Sequence, residues 1–283
     1  QGIIIPPSHN MIIYSLAAGG GISVARLFLA GIVPGVLLGL ALMILSYFIA
    51  VKRNYPRGER ISFKEALKII KDSLLGLLTA VIIIVGVTTG IFTATESAAI
   101  AAVYAFIITF FVYRDIPIKR VFGILSSSLK TLAMVIAIIA TSSAFAWMMA
   151  YLQIPQMVTN ALLNLSENPI LILLMVNFIL LVLGCIMDMA PLILIATPIL
   201  LPVVTSVGLS PITFGVLMML NLGVGLLTPP VGSTLFVGCS IGGAPIERIA
   251  RSLMPFYLVM VIMVILLTFV PELTLWLPGF LMG

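Results

Sequence analysis

Between Leu74 and Tyr113, forty consecutive residues carry a single charge, Glu96. A membrane-crossing helix needs about 20 predominantly apolar residues, so this one run holds two crossings. Further long apolar runs cover Leu27–Val51, Leu129–Ile154, 170–207, 212–245 and Phe256–Leu277. A chain patterned this way folds as an all-α polytopic membrane protein. Composition agrees: 62% of the 283 residues are apolar and 8% charged, where soluble domains run at about 45–50% and about 25%. So few charges cannot cover a water-exposed surface. That excludes a cytosolic enzyme, a nucleic-acid binder and a disordered chain. The length allows roughly eight spanning or part-spanning segments.

The net charge is +5, but the basic residues report topology rather than partners. Seven lie in one loop (Lys52, Arg53, Arg57, Arg60, Lys64, Lys68, Lys71), four at Arg114, Lys119, Arg120 and Lys130, and two at Arg248 and Arg251. The positive-inside rule assigns all three regions to the cytoplasm, and Arg26 alone stands apart. Residues 27–130 then read as scaffold helices. Within them, amphipathic arm helices at about 57–72 and 117–130 lie in the headgroup plane. In the first arm Phe63, Leu67 and Ile70 share one face and Lys64, Lys68 and Lys71 another, although a solvated loop is the alternative. A tight turn is expected near Thr93–Ser97, with Glu96 either capping it or serving a site. Residues 131–168 form an outward span plus an external amphipathic segment.

Residues 170–207 are two apolar halves meeting at Gly184–Met189. With residue 168 outside and Arg248 inside, the two halves must leave and return; the turn between them carries no basic residue, so a re-entrant hairpin whose tip stops inside the membrane is expected, two full spans being the alternative. The broken segment 212–245 and a last span at 255–278 follow, placing the C-terminus outside. Trp147, Tyr151 and Trp276 fall near external ends, as interfacial anchors do. Cys185 and Cys239, both inside apolar runs, read as small core residues rather than a disulfide.

The first twenty residues repeat later in the chain. GIIIPPSHNMIIYSLAAGG aligns with GLLTPPVGSTLFVGCSIGG at an offset of 223, pairing Gly2 with Gly225 and Pro6-Pro7 with Pro229-Pro230. An arginine and a proline follow each copy: Arg26 and Pro34, Arg248 and Pro255. The crossing count runs the two copies in opposite directions, which makes Arg26 external. Inverted repeats of this kind mark secondary transporters. A hairpin precedes the second Pro-Pro break, so one is expected upstream of the first. The chain is therefore expected to be the C-terminal part, about two-thirds, of a longer polypeptide, with residues 1–26 as an incomplete broken helix.

No helix runs through two prolines, so each Pro-Pro pair frees backbone carbonyls at membrane depth. Those carbonyls need a cation, a water or a neighbouring helix. Ser8 and Thr228 add hydroxyl oxygens, a donor set suited to an alkali cation, while a proline kink satisfied by its neighbours is the structural alternative. Asp188 is the one acid between Glu167 and Glu247. It reads as an N-cap of the second hairpin helix, as a functional site, or as both. His9, the single histidine, is expected to pack rather than carry protons. No nucleotide, hydrolase or metal motif supports an enzyme.

GIIIPPS, FTATESAA, GCIMDMAPLILIATPILLPV and GLLTPPVG…LF…P together resemble the large membrane (M) subunit of a TRAP (tripartite ATP-independent periplasmic) transporter, across essentially all of the chain. The resemblance implies an elevator-type, cation-coupled importer of organic acids, such as sialic acids or C4-dicarboxylates, in a bacterial inner membrane. It implies a small Q membrane subunit and a periplasmic substrate-binding protein as partners, and sodium as the coupling ion with no cofactor. It places one sodium at Gly184, Gly225, Thr228 and Val231, and by the repeat half of another at Gly2, Ile5 and Ser8. Substrate candidates are Asp188, Pro229, Pro230, Pro6 and Pro7. His9-Asn10 departs from the apolar or proline residues that many relatives carry after Pro-Pro-Ser. Two other readings stand beside this one: an ion channel whose re-entrant segments line a pore, and an intramembrane enzyme. The second lacks a partner acid for Asp188.

Overall fold

The computed structural model describes residues 2–55, 61–114, 116–166 and 168–282. Every regular element among them is helical. Among the described residues, seven helices are long and apolar enough to cross a membrane. They divide into two compact units, residues 1–46 with 137–283, and residues 47–136.

In the smaller unit, α3 (Phe63–Thr88) turns back into α4 (Ala94–Ile107), which widens into a π-helical stretch over Ile108–Tyr113. The start of α3 is capped by the Ser62 hydroxyl, which accepts from the Glu65 amide at 3.3 Å. The α3–α4 pair is antiparallel. Tyr104 donates its hydroxyl to the Leu75 carbonyl at 3.0 Å, and Tyr113 donates to the carbonyl of Asp72. A 3₁₀ turn at Ile118–Arg120 leads into α5 (Val121–Tyr151), which runs on into the larger unit. Here the structure departs from the expected division. The arm helices at about 57–72 and 117–130 are not separate from the spans that follow. From Phe63 on, the first is the opening of α3, and the second leads directly into α5. The chain holds no proline between Phe63 and Thr88 or between Ile118 and Tyr151, so nothing stops either helix. Residues 56–60, with Arg57 and Arg60, lie outside the described residues.

The larger unit is built round α9 (Pro211–Gly225). Its residues Thr213 to Leu222 are all buried, and a helix apolar on every side belongs in a core. Against α9 pack α7 (Pro169–Ile186), α8 (Met189–Ser206), α11 (Ile246–Phe269), α12 (Glu272–Met282) and α1 (His9–Ala17). Also in this unit are α6 (Ile154–Leu165), packed on α8, α10 (Ser233–Gly242), packed on α11, and α2 (Val24–Lys52) as far as Ser46. Proline and side-chain caps start the helices cleanly. Pro169 and Pro211 sit in first turns, and Asn168 and Ser210 accept from the amides of Ile170 and Ile212. The helix α11 packs on α7 and α9, and α2 lies against the first break. Gly31 admits the Ile4 carbonyl where any Cβ would collide with it.

Candidate cation and substrate site

Neither Pro-Pro pair lies in helix: residues 2–8 are non-helical, and α9 ends at Gly225, ahead of Pro229-Pro230. Helix resumes at His9 in the first copy and at Ser233 in the second, within one residue of the sequence offset. Both Pro-Pro bonds are cis. Gly20 and its counterpart Gly243 both take positive φ, 73° and 60°, where the short helices end.

The second break closes upon the hairpin. The helix α7 ends at Ile186 and α8 begins at Met189, with Met187 and Asp188 between them, and Gly184 near the end of α7 lies against Gly225. A Cβ on Gly225 would occupy the Gly184 backbone, so the two chains meet main chain to main chain. The Val231 amide donates to the Cys185 carbonyl at 3.1 Å, tying the far side of the break to the same tip. Inside the break, the Thr228 amide donates to the Gly225 carbonyl at 2.9 Å. The Thr228 hydroxyl donates to the Val224 carbonyl at 2.8 Å. That uses its proton and leaves its oxygen lone pairs as acceptors. The Tyr257 hydroxyl donates to Leu227 O. Gly184, Gly225, Thr228 and Val231 thus stand round one junction of backbone.

In the first break Ser8 is buried and donates its hydroxyl to the Ile3 carbonyl. Ile5 lies against Gly35, and Gly2 is exposed. Gly2, Ile3 and Ile4 share a cavity of about 290 Å³ with Leu226, Leu227 and Thr234, so the two breaks are neighbours.

Asp188 is exposed in the N-cap position of α8, yet its carboxylate makes no capping bond there. It accepts from the Ser233 hydroxyl at 3.3 Å instead. The repeat partner of Ser233 is Asn10, and Asn10 Nδ2 lies 3.0 Å from the thioether of Met189, the next residue of the tip. The two copies of the repeat therefore reach the same turn between α7 and α8 with the same position. The N-termini of α1, α8 and α10 gather there, none with a side-chain cap bond. Uncapped helix N-termini carry partial positive charge and suit an anionic group. Pro7, Pro229 and Pro230 are exposed near these ends, while Pro6 is buried.

Elsewhere the outcomes differ. Glu96 is a cap: its carboxylate accepts from the Thr93 amide at 2.8 Å, and Thr93 Oγ1 accepts from the Glu96 amide at 3.2 Å. His9, expected to pack, is exposed at the first residue of α1; the buried neighbour is Asn10. Trp147 stacks on Tyr151 and Trp276 on Phe280, all exposed. Sequence reasoning passed over the buried amides Asn177 and Asn221. Their signal was available, because each is a lone amide inside an apolar run. Among the described residues no three His, Cys, Asp or Glu cluster as metal ligands.

Residues 1–273 match the family model of the tripartite ATP-independent periplasmic transporter, DctM component. The chain belongs to this TRAP transporter family. It is 40% identical over 280 residues to the C4-dicarboxylate TRAP transporter large permease protein DctM of Pseudomonas aeruginosa, covering 99% of this chain and 65% of that protein. It is 38% identical over 282 residues to the sialic acid TRAP transporter large permease protein SiaM of Vibrio cholerae, covering 100% of this chain and 66% of the relative. It is 37% identical over 279 residues to the isethionate TRAP transporter permease protein DctMQ of Oleidesulfovibrio alaskensis, covering 98% and 44%. The chain thus spans at most about two-thirds of these DctM relatives. All three are named as TRAP transporter permeases, not as enzymes.

Proposed function

We propose that this chain forms the transport core of a sodium-coupled secondary importer of organic acids. It would work in a bacterial inner membrane with its C-terminus in the periplasm. The observation that carries the reading is the junction at the second break, where Gly184 meets Gly225 without a side chain between them and Val231 bonds to Cys185. Backbone carbonyls and the Thr228 oxygen are hard donors that suit a sodium ion. Gly2, Ile5 and Ser8 supply half of a second such site. The uncapped N-termini of α1, α8 and α10 then receive the carboxylate of the substrate, beside Asp188 and the prolines Pro6, Pro7, Pro229 and Pro230. Sodium closes the junction, and the hairpin and breaks move as a body against a scaffold, in the elevator manner.

The permease relatives named for C4-dicarboxylates, sialic acid and isethionate support an organic acid as cargo. A small Q membrane subunit and a periplasmic substrate-binding protein complete the system, the second selecting the acid before delivery.

The test is uptake into proteoliposomes holding the full transporter and its binding protein. Thr228→Ala should raise the sodium concentration for half-maximal uptake about tenfold. That equals the loss of one coordination worth about 1.4 kcal/mol. An unchanged sodium dependence would remove Thr228 from the site. A wild-type protein indifferent to sodium would refute the coupling itself.

A further inference from the structure

Three buried polar side chains form a chain of hydrogen bonds across the larger unit. Asn221 Nδ2 on α9 donates to Asn177 Oδ1 on α7 at 2.8 Å, and to the Leu217 carbonyl at 2.9 Å. Asn177 Nδ2 donates to Thr268 Oγ1 on α11 at 2.8 Å, and Thr268 donates onward to the Val264 carbonyl at 2.8 Å. Asn221 is wholly buried, and Asn177 and Thr268 are each 6% exposed. Each interrupts an apolar run, LLMVNFILL, MMLNLGV and VILLTFV. An amide sunk among leucines is costly unless it is bonded, so the pairing holds the three helices in one alignment.

The place of the chain gives it meaning. The helices α7 and α9 both run toward the junction, with Gly184 seven residues after Asn177 and Gly225 four residues after Asn221. At 1.5 Å per residue the amide pair sits about 10 Å and about 6 Å from the glycines. Leucine, valine and methionine side chains let one helix slide along another with little penalty; a pair of directional amides does not. At Gly225 no slack exists, because a single added carbon would overlap the Gly184 main chain, while one on Gly184 would lie 3.3 Å from Leu222 and 3.5 Å from Gly225.

We propose that Asn177 and Asn221 are positioning residues. They set the register of α7 against α9, and through it the spacing of the Gly184–Gly225 junction that takes sodium. This rests on the sodium reading above. Thr268 extends the same control to α11.

The experiment compares wild type, Asn221→Leu and the double variant Asn177→Leu/Asn221→Leu in purified protein. Sodium binding is read as the midpoint of sodium-induced thermal stabilisation, beside sodium-dependent uptake. In the double variant no amide is left unpaired, and Thr268 keeps its bond to Val264, so the fold should persist with a sodium-free melting temperature near wild type. The sodium midpoint should rise about tenfold in both variants, with the maximal uptake rate at saturating sodium retained. A midpoint within twofold of wild type in the double variant overturns the proposal while leaving the sodium reading intact. A wild type that gains no stability from sodium overturns both. Should the leucine pair fail to fold, Thr268→Val removes the far acceptor without changing shape. It should raise the midpoint about threefold, and no change there would equally overturn the proposal.

Discussion

At Gly225 a hydrogen atom does what no other side chain could. The Gly184 main chain fills the volume a Cβ would need. Gly225→Ala should therefore force α9 and the hairpin tip apart. Overpacking of this kind costs about 1–3 kcal/mol, so a lowered melting temperature is expected together with loss of sodium-dependent uptake. A variant with wild-type stability and uptake would show that the junction can yield. Asp188 makes the complementary point. Its position before α8 was legible from the sequence, but its partner was not, because Ser233 lies 45 residues away and arrives only through the second break. Asn10 and Ser233 are equivalent by sequence repeat, yet that both touch the tip is a fact of packing. Substitution at Ser233 tests whether the contact matters. If Asp188 serves substrate through this contact, Ser233→Ala should raise the KM for the organic acid and leave the sodium midpoint in place; a moved sodium midpoint with unchanged KM would assign the serine to the cation instead.

Among the elements, the helix starts were the most readable. Thr93 and Glu96 form a capping box, so α4 begins where the residue types say it should. Thr93→Ala should lower stability by about 1 kcal/mol, the usual worth of a side-chain cap, measured as a thermal shift. Glu96→Gln preserves the box and should leave uptake unchanged. A loss of transport in Glu96→Gln would restore Glu96 as a site residue. The Pro-Pro breaks were also legible, since a missing donor and a ring clash act within a few residues. The arms were less so. Amphipathic periodicity marks which face is polar, but a helix ends only at a stop signal, and Phe63–Thr88 has none. The hairpin helices are 18 residues each, about 27 Å long, so length alone leaves re-entrant and full-span arrangements equal.

At the scale of the molecule, the charge clusters predict orientation. Alkaline phosphatase fused after residue 282 should be active outside the cytoplasm, and a fusion after Arg251 inactive. The reverse pattern would invert the topology and with it the sense of the repeat. Hydropathy, the order of the spans and the inverted repeat were present in the chain as written, because each depends on local residue type or on self-similarity. The grouping of helices was not. Apolar surfaces of Leu, Val and Met are interchangeable partners, so nothing in α2 announces that it lies against the first break, or in α11 that it packs on α7 and α9.

The sequence by itself therefore determined a helical membrane protein and the places where its helices break, and it named the residues from which the cation site is proposed. These follow from solvation, from proline's missing donor and from glycine's missing side chain, which act at the residue. Only the tertiary structure decided that Gly184 seats on Gly225, that Asp188 and Met189 receive Ser233 and Asn10, and that Asn221, Asn177 and Thr268 join across three helices. Those contacts depend on register and crossing between helices, and interchangeable apolar faces leave both unspecified until the chain has packed.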